Sequence, residues 1–363
     1  MANFRGAAHL AAAMRAVLDQ TERRLELIVA DDASDDGSVA IARAIAQGDE
    51  RVRVIASPCN GGPAATRNLA LDAARGDWIA VVDSDDLIHP ERLARLIAAA
   101  KVAGADLVAD DLVYFGAVPE AGGRTLLQPL ALATPMVLTT ATYLRANGGG
   151  PALPAFGYLK PVIRRAALGR RRYDPALRIG EDYDLVLRLL IGGARFLLLP
   201  DPLYAYRRHA GSISHRLSVD TASAMLRAHR ALPPLPDPAA RAAAAAVDRQ
   251  LLRALRYQRL VADIKARRWT RALPRLADPA MISRLVESLR DRRRRKAAET
   301  HDRNAPVSGG PLPALPLPGQ PWDSPPAPAA ARIATLASES DALPAGAPPW
   351  AVWLAQATRA SAG

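Results

Sequence analysis

The sequence predicts an α/β sandwich built on a mostly parallel sheet and followed by a helical, basic C-terminal extension. Three strand-to-loop transitions carry the prediction. Apolar Trp78 to Val82 runs straight into Asp83-Ser84-Asp85-Asp86; Leu25 to Ala30 ends in Asp31-Asp32-Ala33-Ser34-Asp35-Asp36-Gly37-Ser38; and Val52 to Ala56 opens into Ser57-Pro58-Cys59-Asn60-Gly61-Gly62-Pro63. Each is followed by a helical run: Val39 to Ala46, a helix from about Ala64 that carries Arg67 and Asn68, and a helix beginning near His89-Pro90-Glu91. Repeated strand-loop-helix units imply parallel strands with same-handed crossovers, which brings all three polar loops to one sheet edge. Open α/β sheets bind their ligands at that edge, outside the carboxyl ends of the strands.

The strand ending in Asp83, Asp85 and Asp86 is the most informative. Clustered carboxylates repel one another and resist desolvation, so the natural stabiliser is a hard divalent cation with oxygen ligands, Mg²⁺ or Mn²⁺. A cation held there can also hold a diphosphate. A plainer reading stays open at this point: Asp85 or Asp86 caps the following helix. Likewise Asp31 to Ser38 reads as a turn rich in Asp, Ser and Gly, and Glu181-Asp182 as acids that complement a helix dipole.

Taken together and in order, the residues resemble the nucleotide-sugar domain of family 2 glycosyltransferases, the inverting group with the GT-A fold. The resemblance rests on the acidic turn, the Asn60-Gly61 loop with Arg67-Asn68, and Asp83-Ser84-Asp85, an Asp-X-Asp motif. Downstream it includes Gly180-Glu181-Asp182-Tyr183-Asp184 before Leu185 to Leu190, and Tyr206-Arg207-Arg208-His209 with Ser212 and Ser214. It implies a role for each matched position. Asp32 would bind the nucleotide base, Arg67 the base or diphosphate, and Asp83 the ribose. Asp85 would bind the metal, with His209 near the metal or diphosphate. Asp182 would be the catalytic base that deprotonates the acceptor hydroxyl, and Glu181 would orient the acceptor or that base. The expected activity is inverting transfer of a sugar from a nucleotide donor, UDP-linked by resemblance, to a glycan or lipid-linked acceptor. Gly157 to Pro161 and Ala205-Tyr206 look most like bacterial exopolysaccharide-assembly members. The chemistry needs those residue types, because a diphosphate leaving group requires neutralisation and the acceptor hydroxyl requires a base. Two alternatives are a sugar nucleotidyltransferase and an inactive subunit that binds glycan or membrane. Asp110 and Asp111, after apolar Leu107 to Ala109, either face the acceptor or end a strand.

The amino terminus departs from the family. The helix Leu10 to Leu18 and Gln20-Thr21 are present, but the apolar strand that should lead into Met1-Ala2-Asn3-Phe4-Arg5 is not, and Arg5 stands in place of the usual Asn. Such a strand belongs in the centre of the sheet, where its loss exposes two strand edges. The expectation is that Met1 is an internal methionine and that a short apolar segment precedes it; the competing reading is a decayed relative.

Composition sets the outer bounds. The 363 residues suffice for one sizeable domain and an appendage. One cysteine, Cys59, excludes an internal disulfide and suits the cytosol. No apolar run is long enough to span a bilayer. The expected organisation is a catalytic domain over 1–216, a helical basic extension over 217–303, and a Pro/Ala-rich tail over 304–363 ending in a short helix, Trp350 to Thr358. Much of the +12 formal charge lies in the extension. There Val247, Leu251, Leu255 and Ile264 recur at near-helical spacing, Arg249, Arg253, Arg256 and Arg259 take other faces, and Arg290 to Lys296 is a basic run. Such segments adhere to anionic membrane surfaces or pack as a solvated arm. The extension carries no clear stacking surface for bases, so no nucleic-acid partner is expected. The expected location is cytoplasmic, peripheral at the inner membrane face.

Overall fold

The computed structural model describes residues 1–116, 124–148, 153–208, 217–235, 237–288 and 290. His209, Ser212, Ser214, Arg292 to Lys296 and the tail lie outside the described residues.

The first half alternates as the sequence requires: β1 (Ala2–Asn3), α1 (Ala7–Leu18), β2 (Leu27–Asp31), α2 (Ser38–Gly48), β3 (Val52–Ala56) and α3 (Pro63–Ala73). The strands form a parallel sheet in the order β1-β2-β3. Leu27–Asp31 is buried throughout, as expected of an apolar strand covered on both faces. Gly37 and Gly62, at φ +87° and +85°, turn the chain from loop into α2 and α3 in a region that side chains disfavour. Pro63 then starts α3, where its missing N–H costs nothing.

The structure corrects one expectation here. The leading strand is not wholly absent, since Ala2 and Asn3 pair in parallel register with Ala30 and Asp31. Two residues were too short a signal to read as a strand; only pairing with β2 defines them. The Met1 amine donates to Ile28 O at 2.8 Å, and beyond it lies a cavity of about 420 Å³ lined by Leu25, Leu27, Trp78, Ala80, Val82 and Val162. Arg5, at φ +52°, forms a bidentate, exposed pair with Asp35 at 2.8 Å.

The second half builds a mixed sheet from β4 (Trp78–Ala80), β5 (Leu87–Ile88), β6 (Leu107–Phe115), β7 (Met136–Leu138), β8 (Val162–Arg164) and β9 (Phe196–Arg207). The order is β4-β8-β6-β9-β5, with β7 also on β9; the long central pair β6–β9 is parallel and the other pairings are antiparallel. Between these strands lie α4 (Arg92–Ala103), α5 (Thr140–Asn147), α6 (Arg165–Leu168) and α7 (Glu181–Ile191). Leu93, Leu96 and Ala100 of α4 pack on Val108, Leu197 and Leu203. In the same layer Arg92, wholly buried, makes a bidentate pair with Asp110. Asp111 accepts N–H bonds from Leu112 and Leu127, each at 2.8 Å. Asp110 and Asp111 are therefore interior residues of β6 that fix neighbouring segments.

The extension consists of α8 (Val219–Arg230), α9 (Pro238–Lys265) and α10 (Trp269–Leu276), with residues 279–288 also helical. Ser218 and Thr221 form a reciprocal capping box on α8, and Asp237 caps α9. Ala240, Ala243, Ala244 and Val247 of α9 join the main core with Tyr143 and Leu144 of α5. Farther along, Leu255 packs with Ala222 and Leu226, and Tyr257 and Leu260 pack with Ala272 and Met281. None of the described helices is long and apolar enough to cross a membrane.

Candidate active site

The loops after β1, β2, β3 and β4 meet the start of α7 around a cavity of about 1000 Å³, whose lining includes Asp32, Arg67, Asp83, Asp85, Glu181 and Asp182. Six of the seven site residues expected from sequence thus line one space; the seventh, His209, is not described.

The centre is a network of charge in which Lys160 and Glu181 are buried and Arg67, Asp83 and Asp182 partly so. Arg67, from α3, donates through Nη2 to Asp83 Oδ1 at 2.8 Å and through Nη1 to Glu181 Oε1. Lys160, just before β8, donates to Asp182 Oδ2 at 2.9 Å and stands 2.8 Å from Asp83 Oδ2. Three carboxylates and two cations are therefore clustered at the cavity wall. Burial alone would raise the Asp83 pKa, but Lys160 and Arg67 outweigh it and hold Asp83 far below the usual carboxylate range. Burial likewise works against charge on Lys160 and Arg67, yet the surrounding carboxylates, Asp182 foremost, keep both well above their ordinary values. For Glu181 burial prevails over Arg67 and the pKa is raised.

The acidic loop is fixed from below. Tyr204 of β9 donates its hydroxyl to Asp86 Oδ2 at 2.7 Å and accepts the Asp83 N–H at 3.2 Å, while the Arg207 N–H donates to Asp86 Oδ1 at 2.7 Å. Arg207 Nε also donates to the Asp85 carbonyl at 2.7 Å. Burial, together with Asp85 and Asp83, pushes the Asp86 pKa well up. Asp86 is thus an internal brace, and Asp83 and Asp85 are the members of the motif that line the cavity.

Asp32 lines the same cavity, and its carboxylate accepts the N–H groups of Gly61 at 2.7 Å and Gly62 at 2.9 Å, binding the second loop to the third. No group of three or more Asp, Glu, His or Cys side chains among the described residues could enclose a metal. What is present fits a different kind of site: one carboxylate, Asp85, facing a cavity large enough for a diphosphate whose own oxygens complete the coordination, as Mg²⁺ sites on phosphates commonly do.

Sequence reasoning missed Lys160, Tyr204 and the helical wall. A lysine between Leu159 and Pro161 at the start of an apolar strand was the available signal for the first. Tyr204, two residues before the quoted Tyr206, gave none. Met225, Ala228, His229, Leu232, Val247 and Leu251 of the extension close one side of the cavity, a contact that no local pattern encodes.

Strand ends delivering acids into a cavity bounded by α7 are the arrangement of the GT-A glycosyltransferases. S. aureus TarS 1–349 in complex with UDP-GlcNAc has this fold, with a TM-score of 0.55 over 69% of this chain and 70% of that chain, at 20% identity. The chain belongs to glycosyl transferase family 2. The profile of "Glycosyl transferase family 2" matches residues 1–153. The succinoglycan biosynthesis protein ExoO of Rhizobium meliloti is 37% identical over 307 residues, 82% of this chain and 86% of that protein. ExoU of the same organism, another succinoglycan biosynthesis protein, is 36% identical over 197 residues, 53% of this chain and 56% of that protein.

Proposed function

We propose that this family 2 glycosyltransferase moves a sugar, with inversion, from a UDP-linked donor to a glycan or lipid-linked acceptor in cell-surface polysaccharide assembly. The observation that carries the reading is the cavity in which donor-side Asp83 and Asp85 stand beside Asp182, coupled through Lys160 and Arg67. UDP-linked donors are favoured because TarS, which shares the fold, binds UDP and UDP-GlcNAc. Polysaccharide assembly is favoured because ExoO and ExoU act in succinoglycan biosynthesis.

In this reading Asp32 and Arg67 hold the nucleotide, Asp83 meets the ribose and Glu181 orients the base. Asp182 accepts the proton of the acceptor hydroxyl as that oxygen bonds the anomeric carbon and the bond to the diphosphate breaks. Asp85 would hold Mg²⁺ or Mn²⁺, which when bound neutralises the departing diphosphate. The test is release of nucleoside diphosphate across a donor panel. UDP should appear with one UDP-sugar, fall to background in excess chelator, and be absent with Asp85→Asn. Pyrophosphate release would point to nucleotidyl transfer, absence of any release across the panel to a binding subunit, and full turnover in chelator would remove the metal role.

The extension would also hold the enzyme at the cytoplasmic membrane face. Support comes from α10 and its approach, where Arg267, Arg268 and Arg271 are exposed beside exposed Trp269 and Leu273, a combination suited to an anionic interface. Arg268→Glu combined with Arg271→Glu should weaken partitioning onto phosphatidylserine vesicles by roughly thirtyfold, at about 1 kcal/mol for each arginine lost. High salt should mimic the change. Equal sedimentation of both proteins would leave the extension a packing arm.

A further inference from the structure

Lys160 is 7% exposed, and its ammonium lies between the carboxylate at the end of β4 and the one at the start of α7. Its backbone is fixed independently. The Lys160 carbonyl accepts Arg92 Nη2 at 2.5 Å, Arg92 is held by Asp110, and both side chains are buried in the sheet. Pro161 follows, which restricts Lys160 to extended backbone. A flexible side chain is thereby anchored at both ends.

We infer that Lys160 is a positioning residue for the transfer reaction: by binding Asp182 Oδ2 and Asp83 Oδ2 together, it fixes which oxygen of Asp182 meets the acceptor and how far that oxygen stands from the donor. The inference rests on the reading of Asp182 as the base. With Oδ2 held by Lys160, Oδ1 stands 3.7 Å from Arg67 Nη1, longer than a hydrogen bond, and is the oxygen left to accept the proton. Arg67 is directed instead at Asp83 and Glu181, which hold its two terminal nitrogens away from Asp182 Oδ1.

The ammonium also matters to charge. Asp182 is faced by Arg67 from α3, Asp83 from the loop after β4, Lys160 before β8, Tyr143 from α5, Tyr173, and Glu181 on its own helix. Removing Lys160 leaves three carboxylates against one guanidinium and frees Asp182 Oδ2 to move.

The experiment compares wild type, Lys160→Met, Lys160→Arg and Asp182→Asn in the full chain, with kcat and KM followed from pH 5 to 9 and UDP affinity measured calorimetrically. Lys160→Met should lower kcat by roughly a hundredfold, the scale of a misplaced reacting group. UDP affinity should change little, and Lys160→Arg should recover much of the rate. A rate loss with no recovery in Lys160→Arg overturns the inference, as does a loss confined to UDP binding. An active Asp182→Asn instead removes the assignment of the base, so the two failures are told apart.

Discussion

Asp182→Asn should lower kcat by roughly two to four orders of magnitude, the usual contribution of a general base, while UDP binding persists. The physical ground is local. Asp182 is one of the carboxylates at the start of α7 that line the cavity, and its partner Lys160 is buried. Asn keeps the size and an oxygen that can accept the Lys160 hydrogen bond, but it cannot take a proton from a hydroxyl. The change also removes one negative charge from a cluster of three carboxylates and two cations, so the fold should survive it. Single-turnover kinetics with a saturating donor, set beside the melting temperature, separate lost chemistry from lost structure. An unchanged rate in a properly folded variant would move the base elsewhere, with Glu181 the next candidate.

The second large effect concerns stability. In a chain that starts at Met1, burial, aided by Arg67 and opposed by Asp83, lowers the Met1 amine from 8.0 to about 5. Between those values the unfolded chain binds a proton that the folded chain does not, so stability rises as pH rises through this window and is lost as pH falls. At about 1.4 kcal/mol for each pH unit, the full effect is about 4 kcal/mol, comparable with much of a domain's net stability. Other groups titrate in the same range. Asp111, raised by burial to about 7, gives the opposite slope, and His89, lowered to about 3, gives the same slope at lower pH. A difference measurement isolates the amine. In a chain extended by two valines ahead of Met1, the ammonium becomes an amide and the added side chains can enter the cavity beside β2 and β4. Urea unfolding from pH 5 to 8 should show the extended chain more stable, with a gap that widens by several kcal/mol toward pH 5. Parallel stability curves would show that the amine reaches water and is not held in the slot.

The same slot shows where sequence reading stopped. Ala2 and Asn3 are too few residues for a period-two pattern, and their strand character exists only through register with Ala30 and Asp31. The buried Asp110 and Asp111 were ambiguous for a related reason. A carboxylate inside an apolar run reads equally as a strand end or a site, and what decides is Arg92, 18 residues away, for Asp110 and the Leu127 N–H, 16 residues away, for Asp111. Lys160 shows the limit most clearly. Its neighbours in sequence are apolar, while its working partners Asp83 and Asp182 lie on two other segments.

By itself the sequence determined the parallel units of the first half, because buried strands must be apolar and their carboxyl-end loops must be polar; it also determined six residues that line the cavity. Tertiary structure alone decided that Asp86 braces while Asp83 and Asp85 line the cavity, that Asp32 binds the loop at Gly61 and Gly62, and that α8 and α9 wall the cavity. Those outcomes depend on pairings between segments distant in the chain. A carboxylate carries the same sequence signature whether it faces a ligand or a buried arginine, and burial and partner are properties of the folded chain.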